Sequence, residues 1–317
     1  MENSVHNAQP VLPGSEPPRD SEIEQVRIEL QALDPDGRRF AAAIRRTFDM
    51  LLDGRNTGRF RWEQLFKTEK THCGTLVEIN LQREFGFDGG QSMDYSVTGI
   101  DVDCKYSQAM WHWTIPPEAI GHICLLVWAD DQAGIWSAGL ARITDDILNQ
   151  GRNRDGKSTI RAAKRGRITW LHRDATLPEN VLLRLPQSDI DAIFGQSSGQ
   201  ARVNELFRRA QGRIISRATI ATVAQQEDYM KRVRGNGGAR THLRPEGIIV
   251  LGQYSSDAQL AGALGVPVPG RGDSISVRLA RVDLSFPDVP VVEINGAQWR
   301  VARPEDPVQP APTLPKR

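Results

Sequence analysis

A run of seven apolar residues, ICLLVWA at positions 123–129, constrains the fold of this chain more than any other feature. A strand with one solvated face alternates apolar and polar residues, whereas a strand buried on both faces is apolar throughout. The run therefore predicts a strand inside a sheet that is covered on both sides. Apolar spacing in the same half of the chain predicts helices at residues 21–33, 36–52 and 71–85, and further strands at 92–106 and 135–143. This alternation is typical of a mixed α/β (α+β) domain, in which helices flank a mixed sheet.

Charged side chains alternate along the preceding predicted strand, VTGIDVDCKYS. Asp101, Asp103 and Lys105 lie two positions apart, so in a strand all three project from one face. Asp94 precedes Asp103 by nine positions, which gives an acidic residue followed by acidic-x-Lys. Glu78 lies on the preceding predicted helix and can approach the same face. The sequence thus predicts a cluster of carboxylates beside one ammonium group.

Such a cluster suits hydrolysis of a phosphodiester. A hard divalent cation held by carboxylates activates water and neutralises the charge on the reacting phosphate. A nearby lysine can orient that water and favour its deprotonated form. We therefore expect Glu78, Asp94 and Asp103 to bind Mg²⁺ and, with Lys105, to form the catalytic set; Asp101 is not required by the pattern and stays outside it. The alternative is an exposed strand face with an Asp–Lys cross-pair, because acidic-x-Lys triplets are frequent by chance.

The charge distribution is more informative than the net charge, which is only +1. Residues 152–167 contain seven Lys or Arg and one acidic residue, and residues 200–245 contain ten against three. Two basic zones in a balanced chain indicate localised contacts with a polyanion. In the first zone we expect DNA phosphates to contact Arg152, Arg154, Lys157, Arg161, Lys164, Arg165 and Arg167. The alternative is a solvated basic face.

One motif in the first zone points elsewhere. GRNRDGKS, residues 151–158, fits the G-x-x-x-x-G-K-[ST] loop of nucleotide hydrolases. That loop must follow a buried strand and open a helix, because its backbone amides bind phosphate at the helix start. The preceding residues, ARITDDILNQ, instead show helical spacing, and the aspartate-tipped run at 123–131 comes before the loop rather than after it. We therefore expect no nucleotide cofactor.

Beyond residue 180 the sequence predicts three short helices, at 202–211, 213–225 and 227–234, and then strands at 247–254 and 274–286. This order is typical of a winged helix-turn-helix, in which one helix enters the major groove. We take 227–234 as the recognition helix. The cations on or beside it are Lys231, Arg232, Arg234 and Arg240, and those that flank it are Arg208, Arg209 and Arg217. The alternative is a helical protein-interaction module with a basic surface.

These patterns divide the chain into a disordered start, a first domain, a linker, a second domain and an unstructured tail, at residues 1–20, 21–170, 171–179, 180–302 and 303–317. No apolar run approaches the length of a membrane span, and no secretory signal is visible at the N-terminus. The three cysteines are scattered, which suits a reducing compartment. We therefore expect a cytoplasmic protein with no membrane partner.

Taken together, these features resemble the NaeI-type (type IIE) restriction endonucleases. The likeness covers nearly the whole chain and includes the segment TFDMLLDGRNTGR at 47–59, the Glu78 helix, the Asp94…Asp103-x-Lys105 spacing and the order of the two domains. The resemblance implies a restriction-endonuclease-like first domain with Glu78, Asp94, Asp103 and Lys105 as its catalytic set. It implies a Mg²⁺-dependent homodimer that cuts both strands of double-stranded DNA at a short palindrome, GCCGGC. It also implies that a second DNA site, bound by the C-terminal domain, activates cleavage, with two sites per dimer.

In enzymes of that type, segment 47–59 is similar to the part of DNA ligases that bears the adenylated lysine. This chain has no lysine there, and Leu51 occupies the middle of the segment. Nucleotidyl transfer would lack its nucleophile, so we expect no ligase activity and only helix packing through Phe48, Leu51 and Leu52.

Two other functions fit parts of the sequence. A non-catalytic winged-helix DNA-binding regulator would explain the C-terminal half but leaves the acidic row without a role. A nicking endonuclease of the mismatch-repair kind would use the same acidic-x-Lys chemistry on one strand only.

Overall fold

The structure is a computed structural model and describes residues 20–151, 153–282 and 289–314. Its α-helices are α1 (Ser21–Leu33), α2 (Arg38–Leu52), α3 (Gly54–Thr57), α4 (Lys67–Phe85), α5 (Gln187–Phe194), α6 (Gly199–Arg209), α7 (Arg217–Ala224), α8 (Ala239–His242) and α9 (Ser255–Ala263). Its strands are β1 (Asp88–Gly89), β2 (Tyr95–Val97), β3 (Ile100–Ser107), β4 (Ile123–Asp130), β5 (Ile135–Arg142), β6 (Thr169–Thr176), β7 (Ile248–Gly252), β8 (Ser274–Arg281), β9 (Val292–Ile294) and β10 (Ala297–Val301). No helix in these ranges is long and apolar enough to cross a membrane.

The chain forms two compact units. Of the described residues, the first unit takes in those up to Arg39, together with those in Gln82–Trp128 and Ser137–Ala175. The second comprises Phe40–Leu81, Ala129–Trp136 and the described residues from Thr176 onward. This division differs from a single boundary near residue 170, because helices α2 and α3 group with the C-terminal half of the chain.

The first unit is built on a six-stranded sheet with the order β1-β2-β3-β4-β5-β6. Strand β2 is antiparallel to β3, and β3 is parallel to β4, with Asp103 opposite Cys124. Strand β4 is the apolar run, and its side chains from Ile123 to Val127 are all buried. The predicted mixed α/β architecture is confirmed, and the doubly buried strand lies at its centre.

Large apolar side chains fill the core on one face of this sheet. Leu126 of β4 and Ala141 of β5 pack against Trp113, from the loop that follows β3. Trp113 is 1% exposed, and its indole N–H donates a hydrogen bond of 2.8 Å to the carbonyl oxygen of Val127. This bond satisfies the polar atom of a buried tryptophan and fixes the loop to the sheet.

Helix α1 begins with a defined cap. The Asp20 carboxylate accepts hydrogen bonds from the amides of Glu22 and Ile23, and it pairs with Arg142 at the end of β5, 2.8 Å away. Asp20 was included in the predicted disordered start, but here it is an ordered helix cap. Residues 1–19 lie outside the described part of the chain.

The second unit contains a helical core and a second sheet. Phe207 of α6 and Ile220 of α7 are fully buried and belong to the same cluster as Val250 of β7. The sheet has the order β7-β8-β10-β9, and β7 is antiparallel to β8. The strand predicted at 274–286 is β8 as far as Arg281; residues 283–286 lie outside the described ranges.

The predicted linker and one predicted segment of the first domain have other structures. The linker predicted at 171–179 begins as β6, an edge strand that extends to Thr176. Its polar composition follows from its edge position, where many side chains face solvent. The helical spacing at 141–150 is also misleading, because β5 runs through Arg142 and only a single 3-10 turn, Asp145–Ile147, follows.

The predicted recognition helix at 227–234 is not an α-helix. It contains one 3-10 turn, Tyr229–Arg232, and Val233 is its only buried side chain. A helix without an apolar stripe gains little from packing, so one short turn is all that forms.

Part of the predicted unstructured tail is packed against the second unit. Arg300 pairs with Asp306 at 2.6 Å, and the amide of Ala311 donates to the carbonyl oxygen of Arg244 at 2.8 Å. The Ala311 side chain is buried. The prolines in this stretch prevent regular structure but do not prevent packing.

Helix α3 approaches α7 very closely within the second unit. A Cβ atom placed on Gly54 would lie 2.0 Å from Thr222 Oγ1 and 2.9 Å from the carbonyl oxygen of Arg59. Thr222 Oγ1 is itself held in place, since it donates to the carbonyl oxygen of Ala218 on α7. Only glycine allows this contact, so Gly54 determines how residues 54–57 dock on α7.

The substitution Gly54→Ala should therefore destabilise the protein by about 1–3 kcal/mol, the usual cost of overpacking. Urea or thermal unfolding of the purified variant measures this loss. Gly74→Ala is the matched control, because no atom lies within 4 Å of its added Cβ. In the middle of α4 that change should stabilise the chain by about 0.5–1 kcal/mol. Equal effects of the two substitutions would contradict the packing argument.

Candidate active site

The hairpin of β2 and β3 places Asp94 beside the charged row. Tyr95 lies opposite Val102 in the antiparallel register, so Asp94, one residue earlier, is next to position 103. Oxygen Oδ2 of Asp94 accepts a hydrogen bond of 2.7 Å from the backbone N–H of Cys104. This bond fixes one carboxylate oxygen and orients the other.

Asp103 and Lys105 project from the same face of β3, as strand alternation predicts. Lys105 Nζ lies 2.6 Å from Asp103 Oδ1 and 3.9 Å from Asp94 Oδ2. The Asp103 side chain is 7% exposed, whereas those of Asp94 and Lys105 are 24% exposed. Two carboxylates and one ammonium group therefore meet in a half-buried cluster that solvent can reach.

Strand β4 adds a contact that the sequence does not reveal. The thiol of Cys124, opposite Asp103 in the parallel register, donates a 3.4 Å hydrogen bond to Asp103 Oδ2. Burial raises the pKa of this thiol well above its usual value, and the charge of Asp103 raises it further. The thiol therefore stays protonated and remains a donor to the carboxylate.

The two carboxylates disfavour each other's charge. Burial raises the pKa of Asp94 above its ordinary value, and contact with the Asp103 carboxyl raises it further. The Cys104 amide and the Lys105 ammonium group act in the opposite direction but do not cancel the rise. Without a further cation, the ionised form of Asp94 is thus strained.

Lys105 carries its proton at neutral pH. Burial lowers its pKa, but the hydrogen bond to Asp103 and the charges of Asp103 and Asp94 outweigh this effect, and the pKa lies above its usual value. Lys105 is therefore a cationic hydrogen-bond donor at this site and is not a general base.

The donor set fits a hard divalent cation. Asp94 and Asp103 supply carboxylate oxygens, and the raised pKa of Asp94 shows that its negative charge is not fully compensated in this structure. Among the described residues, no group of three or more His, Cys, Asp or Glu side chains is arranged as a metal site. Mg²⁺ retains several waters and requires few protein ligands, so a pair of carboxylates is compatible with it.

Glu78 lies on α4 and is half-buried. It belongs to the portion of α4 that groups with the second unit, whereas Asp94, Asp103 and Lys105 belong to the first. The contacts above join those three residues. A role for Glu78 as a further ligand stays a prediction.

The family model described as "Restriction endonuclease NaeI" matches residues 24–310. Type II restriction enzyme NaeI of Lentzea aerocolonigenes is 50% identical over 305 residues, which are 94% of this chain and 96% of that enzyme. The chain belongs to the NaeI family of restriction endonucleases. It is a type II site-specific deoxyribonuclease, and the DNA that it binds is double-stranded. Restriction endonucleases generally use divalent metal ions, which agrees with the paired carboxylates.

In this NaeI-family chain, the first basic zone is partly exposed and partly engaged. Arg154 and Lys157 are exposed, while Lys164 is 3.0 Å from Asp146. Arg161 donates to the carbonyl oxygen of Leu148, and the Arg165 guanidinium lies 4.6 Å from the centre of the Trp111 ring. Arg152 lies outside the described residues.

The second basic zone is largely ion-paired. The pairs are Arg208 with Glu246 and Glu205, Arg209 with Glu205 and Asp189, Arg232 with Asp228, and Arg240 with Asp257. Arg217 donates to the Tyr229 hydroxyl oxygen. Lys231 remains 63% exposed at 3.5 Å from Asp228, and Arg234 is exposed. Both side chains are accessible to a phosphate.

The loop that resembles a phosphate-binding loop opens no α-helix. The Asn153 side chain accepts hydrogen bonds from the amides of Asp155 and Lys157, which closes the loop on itself. Only the 3-10 helix Ala162–Arg167 follows. Two amides of the loop are therefore bound within the loop itself. That the protein uses no nucleotide cofactor stays a prediction.

Segment 47–59 is a packing element. Phe48, Leu51 and Leu52 are buried, as expected, and Gly54 contacts α7. No cationic nucleophile stands in place of Leu51.

One residue of the charged row has a different role from its neighbours. Asp101 accepts hydrogen bonds from the amides of Gln91 and Ser92, at 2.9 and 2.8 Å. Its position on the same face as Asp103 was visible in the sequence, but its backbone partners were not. Cys124 was also outside the predicted set, and only the strand register identifies it.

The raised pKa of Asp94 leads to a prediction about stability. In the metal-free protein, ionisation of Asp94 costs free energy as pH rises through the window between 3.8 and its raised folded value. Asp94→Asn keeps an oxygen for the Cys104 amide and removes this cost. The variant should therefore melt at a higher temperature than the wild type at pH 8 in EDTA, show no gain near pH 3.5, and lose DNA cleavage.

Asp306→Asn is the control of opposite sign. The hydrogen bond from Arg300 lowers the pKa of Asp306 to about 2, so its charge stabilises the fold above pH 3.8 and this contribution is lost as pH falls towards 2. That variant should melt at a lower temperature at pH 8. A decrease in melting temperature for Asp94→Asn as well would refute the electrostatic account.

Proposed function

We propose that this enzyme uses Mg²⁺ to cut both strands of DNA at a short palindrome, GCCGGC. The observation that carries the proposal is the pair of carboxylates, Asp94 and Asp103, beside a protonated Lys105 on adjacent strands of one sheet. The family to which the chain belongs gives the reaction class, and this cluster provides the chemistry for it.

Asp94 and Asp103 would hold the cation, and Glu78 of α4 would contribute a further carboxylate. When bound, Mg²⁺ lowers the pKa of a coordinated water and neutralises charge on the phosphate. The Cys104 amide binds Asp94 Oδ2, and the Cys124 thiol binds Asp103 Oδ2. Lys105 Nζ lies 2.6 Å from the other oxygen of Asp103, so a bound cation would lie close to this ammonium group.

Lys105 would act on the attacking water and the phosphate. Because it is protonated, it donates hydrogen bonds and stabilises negative charge as the water oxygen bonds to phosphorus. The attacking water releases a proton to solvent, the bond from phosphorus to the leaving sugar oxygen breaks, and that oxygen takes up a proton from solvent. Lys105 thus contributes charge and orientation, which a neutral side chain of the same length would not supply.

The C-terminal part would bind a second copy of the recognition sequence. Helices α5 to α8 precede β7 and β8, with α9 between these two strands, and helices followed by strands support a winged helix-turn-helix. Exposed Lys231 and Arg234 support a phosphate contact at the turn after α7. The ion-paired arginines of the same zone would have to exchange carboxylate partners for phosphate before they contacted DNA.

A homodimer follows from symmetry. A palindrome has a two-fold axis, and a two-fold dimer presents one active site to each strand. With one catalytic and one activating DNA per dimer, cleavage should depend on two copies of the site.

A plasmid assay tests the proposal. With Mg²⁺, a plasmid carrying two GCCGGC sites should be linearised faster than one carrying a single site, and EDTA should stop both reactions. Asp103→Ala should abolish cleavage and leave DNA binding intact. Nicked circles as the end product would indicate single-strand cutting, and binding without any cleavage by the wild type would indicate a regulator.

Lys157 gives a prediction about DNA affinity. Because its ammonium group is exposed, Lys157→Ala should remove one phosphate contact and reduce the slope of log affinity against log salt by about 1. Fluorescence anisotropy with a labelled duplex measures this slope. Arg38→Ala, at a side chain that is 88% exposed on α2, should leave it unchanged. An unaltered slope for the Lys157 variant would remove this residue from the DNA contacts.

A further inference from the structure

The loop before Asp94 is held by a carboxylate that the proposed reaction does not use. Oxygen Oδ1 of Asp101 accepts from the Gln91 amide at 2.9 Å, and Oδ2 accepts from the Ser92 amide at 2.8 Å. Both oxygens of one side chain are thus bound to consecutive amides. We refer to this pair of hydrogen bonds as the Asp101 clamp.

The same loop is also tightly packed around Gly90. A Cβ atom on Gly90 would lie 2.5 Å from the carbonyl oxygen of Met93, 2.8 Å from that of Tyr95 and 3.0 Å from Asp101 Oδ1. Glycine is therefore required for the backbone to fold onto the Asp101 carboxylate. Gly89, one residue earlier, has no atom within 4 Å of an added Cβ.

Asp94 directly follows this clamped loop. On its far side it is fixed by the pairing of Tyr95 with Val102 and by the Cys104 amide. On its near side the sequence is GGQSM, which carries two glycines and has high conformational freedom when unconstrained. The pairing of Gly89 with Tyr95 closes this loop, and the Asp101 clamp fixes the amides of Gln91 and Ser92 within it.

We propose that Asp101 is a positioning residue that orders residues 90–93 and thereby holds Asp94 beside Asp103 for metal binding. The inference rests on the proposed role of Asp94 as a metal ligand. It assigns a different role to each charged residue on this face of β3. Asp101 fixes the loop, Asp103 binds the cation and Lys105 supplies positive charge. Alternation along a strand places all three on one face, but only the first has backbone amides within reach.

Loss of the clamp should weaken metal binding more than catalysis. In Asp101→Ala the Mg²⁺ concentration for half-maximal cleavage should rise about 10-fold or more, the usual cost of losing a group that orients a ligand. The rate at saturating Mg²⁺ should fall much less, and DNA binding in EDTA should be unchanged. Asp101→Asn retains one acceptor oxygen and should lie between the alanine variant and the wild type.

A second variant separates positioning from charge. Asp101→Ala also removes a negative charge near the cation, which could weaken metal binding by itself. Gly90→Ala disturbs the same loop without changing any charge, so it should raise the Mg²⁺ requirement in the same direction. Gly89→Ala is the matched control and should match the wild type. If Gly90→Ala also matches the wild type, Asp101 does not act through the loop.

Two measurements do not depend on turnover. Mn²⁺ titration followed by electron paramagnetic resonance should show weaker binding in both the Asp101→Ala and Gly90→Ala variants. Hydrogen–deuterium exchange should accelerate at the amides of Gln91 and Ser92 in Asp101→Ala. Unchanged Mn²⁺ affinity together with unchanged exchange would overturn the proposal.

The Asp94→Ala variant distinguishes the positioning role of Asp101 from the proposed role of Asp94 as a metal ligand. If Asp94 is a ligand, Asp94→Ala weakens Mn²⁺ binding, and adding Asp101→Ala should have no further effect because the positioned group is gone. An additional loss would mean that Asp101 acts elsewhere, which overturns the positioning role. If Asp94→Ala alone leaves Mn²⁺ binding and cleavage intact, the proposed function of the carboxylate pair fails instead.

Discussion

The parallel pairing of β3 with β4 is the interaction on which the active site depends. Strand β4 is apolar and buried, so its position in the sheet is fixed by the hydrophobic effect. Strand β3 carries charged residues and would gain little from burial by itself. Its hydrogen bonds to β4 hold it in place and set Asp103 opposite Cys124. A shift of one residue in this register would turn the charged row towards the opposite face.

The site is electrostatically strained in the absence of a cation. Burial and mutual repulsion raise the pKa of Asp94, and Lys105 offsets only part of this cost. A fold tolerates such a cluster when other contacts compensate it, and here the backbone amide of Cys104 and the thiol of Cys124 help to do so. The same strain favours binding of a divalent ion, because a second cation relieves it. Stability of the free protein and function of the site are therefore opposed at this position.

Counts of charged residues locate the two basic zones but do not show which of their cations are ion-paired. Composition located both zones, and the surplus of Lys and Arg is real. Many of these cations nevertheless have carboxylate partners within the chain, as in the Arg208–Glu246 pair at 2.7 Å. Some of these pairs are local, such as Arg232 with Asp228 at i,i+4, but partners such as Glu246 lie far along the sequence. Local spacing therefore identifies only some of the ion-paired arginines. Exposed residues such as Lys157 and Arg234 are identified only when burial is known.

The sequence by itself determined the central buried strand, most helices near their observed bounds and the Asp94, Asp103 and Lys105 set, because side-chain periodicity and strand alternation are local properties of the chain. Tertiary structure decided the hydrogen bonds of Asp101 with backbone amides and the contact of Cys124 with Asp103. It also decided that the 227–234 segment forms only a single 3-10 turn. It also decided that the 171–176 segment joins the sheet as an edge strand. Each of these depends on backbone amides, register or packing partners that are distant in sequence, and no residue pattern within one segment encodes where those partners come to lie.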